Sequence, residues 1–561
     1  LAVTRWQLLD CPDELEPPAP FLAWLNQRAH LDHAAPGTLH CLAADLPEGG
    51  YRLTASGDQA VLHAGSKAGV AYALLTLRDW QDQHPHPAPA LLVEDWPDFP
   101  VRGILLDISR NKIPTLPMLK QWIDLFAQSR INHLQFYTEH TFAYCGHEVI
   151  WQDASPLTPD EMRELDTYCG DRLIELTPNQ NSFGHLQRWL QHPRYAHLAN
   201  APDGYTTPWG EFRPRPFSLN PLHPGSLDLL ADWYQQLLPT LRSKRFNVGC
   251  DETFDLGQGA SREACERAGK GRVYLDYLLK VHALVSQHDH HMLFWGDIIL
   301  HHPELIPELP AEITALVWGY EANRPFQEQC RHFQNAGVPF WVCPGTSTWN
   351  SLTGRWSNAR ANIRSAARHG KAEGAGGILI TEWGDNGHWQ TLPFSAAALR
   401  MGAAYAWNRE AADRCPDQAF FAGLIPDADP QPLVELANAW EWFTVRIENL
   451  SPLFSLVVRD DLTSLLVEVS PSELEHALTQ LETIARHIPS DPEVHLPMRL
   501  MQFACHRGLF IQSGKQAQAE ASRTLLEEIH PLFLQSWQLR NRPGGLAESR
   551  QALDRRRAEF T

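Results

Sequence analysis

Eight short apolar runs, separated by long intervals, constrain this chain more than any other feature of its sequence. The runs are Ile104–Ile108, His133–Tyr137, Leu173–Thr177, Phe246–Cys250, Met292–Trp295, Thr314–Trp318, Pro339–Cys343 and Gly377–Ile380. Amphipathic stretches such as Leu116–Arg130, Ser226–Arg242, Arg272–His288 and Arg355–His369 lie between them. Parallel strands need crossover connections, usually helices. Eight strand-like runs with such crossovers predict an α/β fold, a (β/α)8 TIM barrel. A doubly wound open sheet is the competing arrangement, but no Gly-rich phosphate loop follows the first run.

The flanks read differently. Residues 1–97 form an expected N-terminal α+β domain. Within it Tyr51–Ser56 alternates as a strand, Gly57-Asp58 signals a turn, and Gln59–Ala64 reads as the hairpin partner. Ser66 is placed to cap a helix over Ala68–Gln83, which the proline-rich segment 84–89 stops. With Asp95–Pro100 as linker, the barrel is expected over 98–404. Residues 405–561 read as a C-terminal helical domain, with helices over Leu433–Ile447, Ser472–His487, His495–Ser513 and Gln516–His530. This domain carries no cluster of catalytic residue types and is expected to pack on the barrel or on a second subunit of a homodimer.

The net charge of −19 argues against nucleic acid and acidic membrane surfaces as partners. Arg555–Arg557 is too short for a phosphate-binding footprint and reads as a solvated helix end. No apolar run reaches the roughly 18 residues of a membrane span. The ten cysteines form no CxxC and no metal-type cluster. Unpatterned cysteines read as reduced thiols, and Leu1 onward shows no leader pattern, so a cytoplasmic protein is expected, without metal or organic cofactor.

Catalytic residues of such barrels sit at the carboxyl ends of the strands. Strand one has Arg102 just before it and Asp107 and Arg110 at its end. The next strands end at Tyr137-Thr-Glu139-His140, at Asn179-Gln-Asn181 running on to His185, and at Asp251-Glu252. The last four end at Trp295-Gly-Asp297, Trp318-Gly-Tyr320-Glu321, Trp349-Asn350 and Glu382-Trp383-Gly-Asp385-Asn-Gly-His388. This set is rich in carboxylates and Trp, with no serine nucleophile elbow. It suits glycosidic-bond cleavage, where a carboxylic acid protonates the leaving oxygen and aromatic walls hold the ring. A single Trp there is ordinary core packing; Trp-Gly at three strand ends is a pattern. Asp251 and Glu252 are adjacent, so one of the two is expected to hold its proton and serve as general acid.

Phe246-Asn-Val-Gly-Cys-Asp-Glu252 resembles the strand-four signature of glycoside hydrolase family 20, the β-N-acetylhexosaminidases, usually His-x-Gly-Gly-Asp-Glu. Val101–Arg110 is similar to that family's opening strand, and Thr177–His185 to its Pro-Glu-x-Asp-x-Pro-Gly-His segment. The resemblance covers roughly residues 50–400. It implies an exo-acting, retaining hydrolase of terminal β-linked GlcNAc or GalNAc on oligosaccharides or glycoconjugates. The substrate's own 2-acetamido oxygen would attack the anomeric carbon through an oxazolinium intermediate, outside the two-carboxylate scheme. The implied roles are Glu252 as acid and then base, and Asp251 as the group that orients the acetamide. Arg102 would hold O3 and O4, Asp385 would hold O4 or O6, and Trp295, Trp318 and Trp383 would wall the pocket. Glu139 and His185 would form a relay behind Glu252, and Tyr320 and Trp349 compete to bond the acetamide oxygen. The sequence departs from the family pattern at Asn179, Asn181, Phe183, Asn247 and Cys250, and carries Glu139 where Asp is common.

Two other chemistries stay open on the residues alone. One is a retaining glycosidase with a protein nucleophile, pairing Glu252 with Glu382 or Asp385. The other is a metal-dependent barrel hydrolase built from His140, Asp251, Asp385 and His388.

Overall fold

A ring of parallel strands occupies the centre of the protein in the computed structural model, which describes residues 2–3, 6–27, 37–84 and 89–560. The strands are Val101–Asp107 (β1), His133–Tyr137 (β2), Glu175–Thr177 (β3), Arg245–Asn247 (β4), His291–Trp295 (β5), Thr314–Trp318 (β6), Phe340–Cys343 (β7) and Gly377–Glu382 (β8). Each pairs in parallel with its sequence neighbour from β4 to β8 and from β1 to β3, and β8 pairs with β1 from Gly377↔Val101 to Glu382↔Leu106. The expected (β/α)8 barrel is present. The expected ranges of β2 and β6 match, and the others miss an end by one to three residues; β3 and β4 are only three residues long.

Those two short strands are where the ring closes. One bridge, Asn179 with Asn247, joins them, through Asn247 N–H to Pro178 O and Gln180 N–H to Asn247 O, both 3.0 Å. Under the bridge, Gln135 Oε1 accepts from the side-chain amides of Asn179 at 3.0 Å and Asn247 at 2.9 Å. All three residues are buried. The departures at 179 and 247 are thus partners in one amide network.

The barrel interior holds its own apolar cluster. Leu105, Leu293, Leu316, Leu379 and Trp341 are joined by Tyr137, Trp295, Trp349 and Trp383. The larger core lies between strands and helices and continues into both flanking units.

The N-terminal unit is a six-stranded sheet covered by the helix Lys67–Gln83. The expected hairpin is there, as Tyr51–Ser56 against Gln59–Ala64. Ser66 caps the helix by accepting from Gly69 N–H at 3.1 Å. Residues 85–88 of the proline-rich segment lie outside the described residues. The first sheet ends at Asp95 and the barrel starts at Val101.

At the other end, a boundary at 404 falls inside the helix Leu392–Trp407, which packs on β8 and β1 and belongs to the barrel. The four-helix tail comprises Pro471–Ile484, Pro492–Ser513, Gln516–Arg540 and Leu546–Glu559. The expected helix over 433–447 is shorter. It spans Gln431–Ala437, and the Asn438 side chain then donates to Val434 O, a local bond that competes with helix continuation. Arg556 also corrects a reading: it is buried, bonding Glu559 and Asp460, so the basic run is not simply a solvated helix end. Among the described residues no helix is long and apolar enough to cross a membrane.

Replacing Gln135 by Leu leaves two buried amides without their acceptor. Destabilisation of about 2–4 kcal/mol is expected, read as a lower urea midpoint at unchanged slope.

Candidate active site

Strand β4 leaves the sheet after Asn247, and the chain then turns through left-handed backbone. Gly249 has φ 68°, Cys250 67° and Glu252 49°. A Cβ at Gly249 would lie 2.5 Å from Asn181 Oδ1, so only glycine fits. Cys250 occupies a conformation that disfavours a side chain by roughly 1–2 kcal/mol. Two neighbours hold it there: Tyr274 Oη donates to Cys250 O at 2.9 Å, and Cys250 N–H donates to Asn181 Oδ1 at 3.3 Å. This turn brings Asp251 and Glu252 against His185, itself at φ 58°. His185 Nε2 lies 3.2 Å from Asp251 Oδ2 and 3.3 Å from Glu252 Oε2.

The two carboxylates differ in surroundings. The Asp251 side chain is 10% exposed and that of Glu252 33%. Burial works against the Asp251 charge, but His185 and the amide of Asn181, donating at 3.1 Å, outweigh it and hold the carboxyl below its usual range. An acid at position 181 would repel Asp251; the Asn found there supports it. Burial also disfavours a charged His185, yet Asp251 and Glu252 reverse this and raise its pKa well above the ordinary value. A third carboxyl, read at the end of strand five but given no role there, is shifted upward. Asp297, just beyond β5, is pushed up to about 7 by burial and by the Asp251 charge. It accepts the Glu252 N–H at 3.0 Å and so fixes the turn from behind.

Arg102 is not in this site. It starts β1, at the opposite end of the barrel, where it donates to Arg130 O, Phe99 O and the Tyr72 hydroxyl and bridges to the N-terminal unit. The arginine that faces the carboxylates is Arg110, three residues past β1. It contacts Asp107 Oδ2 and Glu139 Oε1 at 3.2 Å each, His185 Nδ1 at 3.4 Å and Asp385 Oδ1 at 3.9 Å. Its guanidinium also covers Tyr137, 4.5 Å from the ring centroid. The rule that sites lie at carboxyl ends of strands already favoured Arg110 over a residue preceding its strand. Glu139 bonds Tyr137 Oη at 2.9 Å and Arg110. It therefore meets His185 through the guanidinium, and the expected direct relay is replaced by a charge bridge.

The aromatic residues converge as expected. Trp295 and Trp383 lie 6.0 Å apart, Trp318 stacks on Tyr320 at 5.1 Å, and Trp349 meets Tyr320 edge-on at 5.0 Å. Trp383 spends its indole N–H on Tyr320 Oη at 2.8 Å, which leaves the phenolic proton free to donate. The buried indole N–H groups of Trp295 and Trp349 have no protein partner among the described residues, as is also true of Trp233 and Trp356 away from this cluster. Asp385 stands across Arg110, its carboxyl pushed up to about 6 chiefly by burial.

The competing chemistries fare worse. Glu382 points away into the barrel wall and accepts from Thr346, Thr348, Gln390 and Ser395, so it cannot serve as nucleophile. His140, Asp251, Asp385 and His388 do not converge. The group of metal-ligating type among the described residues is His185, Asp251 and Glu252, which includes neither histidine of that expected set nor Asp385.

Carboxylates, a fixed cation and aromatic rings gathered at the carboxyl end of the barrel are the groups that glycosidic-bond cleavage uses. This chain belongs to glycosyl hydrolase family 20: the family's catalytic domain matches residues 99–361 and its domain 2 matches residues 23–96. Hexosaminidase D of Homo sapiens is 25% identical over 333 residues, 54% of this chain and 65% of that protein. A beta-hexosaminidase of Akkermansia muciniphila is 30% identical over 158 residues, 24% of this chain and 32% of that protein. The chain thus spans less than two thirds of the length of either. Among solved structures, an exo beta-N-acetylglucosaminidase from Vibrio harveyi has a TM-score of 0.59 at 15% identity, covering 78% of this chain and 75% of that one. The Flavobacterium johnsoniae chitobiase has a TM-score of 0.57 at 15% identity, covering 94% and 93%. These likenesses carry the fold.

Arg102→Met is expected to cost about 2–4 kcal/mol of stability with kcat/KM within about twofold of the parent, whereas Arg110→Met lowers kcat/KM by about 10²–10³-fold. For Asp297, an unfolded aspartate loses its proton near ~4, whereas the folded one keeps it to about 7. The unfolded state binds fewer protons between those values, so this group's stabilisation fades as pH rises across the window. Urea unfolding at about pH 4 and about pH 8 should therefore show Asp297→Asn gaining stability relative to the parent at the higher pH.

Proposed function

We propose that the chain is an exo-acting, retaining β-N-acetylhexosaminidase that removes terminal β-linked GlcNAc or GalNAc with the substrate's own acetamide as nucleophile. The observation that carries this reading is the unequal pair. Asp251 is buried and held charged by His185 and Asn181, while Glu252 beside it opens to the cleft. Two adjacent carboxylates cannot flank a glycosidic bond from opposite faces, as a protein-nucleophile mechanism requires. They can divide the work of a substrate-assisted one. The names of the human and Akkermansia relatives agree with this reading.

In the first step Glu252 gives its proton to the leaving oxygen as the C1–O bond breaks. The acetamide carbonyl oxygen forms the new bond to C1, and Asp251 accepts the acetamide N–H and stabilises the positive charge of the oxazolinium ring. Tyr320, its hydroxyl already oriented by Trp383, donates to the acetamide carbonyl. In the second step Glu252 takes a proton from water, whose oxygen attacks C1 and reopens the ring with net retention. Arg110, Asp385 and Glu139 are placed to hold the sugar's hydroxyls, and Trp295, Trp318 and Trp383 to wall the ring and its acetamide.

Paired aryl β-glycosides, with and without the 2-acetamido group, test this reading. The plain glucoside is expected to turn over at least about 10³-fold more slowly; equal rates would reject substrate assistance. Asp251→Asn is expected to lower kcat on the acetamido substrate by about 10²–10³-fold.

A further inference from the structure

The connection between β3 and β4 carries a small hairpin, Tyr205–Thr206 against Phe212–Arg213. Two large aromatic residues on it are left to solvent: Trp209 is 63% exposed and Phe212 59%. Exposed aromatic surface this large is unfavourable unless something covers it. Trp209 is also the outer rung of a ladder. Its ring meets Phe254 at 5.3 Å, Phe254 stacks on Phe217 at 5.7 Å, and Phe217 meets the His185 imidazole at 4.8 Å. The ladder starts at the group that touches Glu252 and ends at the surface, and Phe254 follows Glu252 by two residues. Phe217 lines the cleft that holds Arg110, Glu139 and His185, beside Gln191 and Arg215.

We propose that Phe217, Phe254 and Trp209 form a leaving-group subsite that stacks the sugar rings beyond the cleaved linkage, so that β-linked oligosaccharides are the preferred substrates. This rests on the function proposed above. The leaving oxygen must face the exposed side of Glu252, and the ladder runs outward from there. Pyranose rings present flat C–H faces that aromatic rings cover, while polar side chains at the rim, Gln191 and Arg215, meet their hydroxyls. The polar pocket for the terminal sugar and the aromatic strip for its neighbours then divide recognition between them.

The test compares a β-1,4-linked N-acetylglucosamine trimer with methyl β-N-acetylglucosaminide. Trp209→Ala is expected to lower the ratio of their kcat/KM values about tenfold, and Trp209→Tyr to restore most of it. In the Glu252→Gln background, calorimetric binding of the trimer should weaken about tenfold with Trp209→Ala. Thermal unfolding of each variant shows whether the hairpin keeps its fold, and the Tyr variant carries the comparison if the Ala variant loses it. An unchanged ratio and unchanged trimer binding would overturn the subsite while the hydrolase reading stands. Trimer binding that depends on Trp209, with no hydrolysis of any 2-acetamido glycoside, would overturn the hydrolase reading and leave the subsite.

Discussion

Three carboxyl groups, Asp251, Glu252 and Asp297, meet at the end of two neighbouring strands, and everything around them answers to that concentration of negative charge. Like charges this close cannot all ionise in a partly dry cleft. The protein resolves the conflict by giving each a different neighbour. His185, its pKa raised by both, sits against the first two, Asn181 donates to Asp251, and Asp297, pushed up to about 7, accepts the backbone N–H of Glu252. Arg110 stands on the far side of His185 and ties in Glu139 and Asp385. The result is a network in which removing any cation leaves buried negative charge uncompensated.

The backbone bears part of this cost. Gly249, Cys250 and Glu252 occupy left-handed conformations in the turn that carries the carboxylates, and so does His185, which contacts them. Such strain survives when surrounding bonds over-determine it, and here Tyr274, Asn181 and Asp297 supply those bonds. The amide network of Gln135, Asn179 and Asn247 closes the ring directly below. Closure of the barrel and placement of the acidic pair are therefore one structural problem, solved by the two shortest strands.

The barrel was legible in the sequence because parallel strands buried on both faces read as uninterrupted apolar runs. Asp251, Glu252, His185, Tyr320 and the tryptophans were legible because the carboxyl ends of those runs fix where functional side chains must come. Arg102 carries the motif likeness but stands at the start of its strand, whereas Arg110 follows the end where functional side chains gather. Asp297 lay in plain view at the end of β5 but carries no signal of its own, since its role arises from a backbone N–H that another strand delivers. Cys250 and the Asn residues looked like departures from a pattern. Their compensations, from Tyr274, Gln135 and Asp251, come from residues far away in the chain, which no local reading can supply. The hairpin with Trp209 escaped notice for the same reason: its ladder exists only once Phe217 and Phe254 are brought together.

One contact of the C-terminal helices has a wider meaning. In the helix Leu546–Glu559, Ser549 accepts from Asn111 and donates to Gly387 O, pinning the loops that follow β1 and β8, and Glu548 reaches Arg188 on the rim of the cleft. The match to the family's catalytic domain ends at residue 361, well before this helix. Asn111 adjoins Arg110 and Gly387 lies two residues past Asp385, so the last helix of the chain holds in place the two loops that carry those charges. The packing of the C-terminal helices is thereby coupled to the spacing of charges across the cleft, although the helix supplies none of the acidic pair.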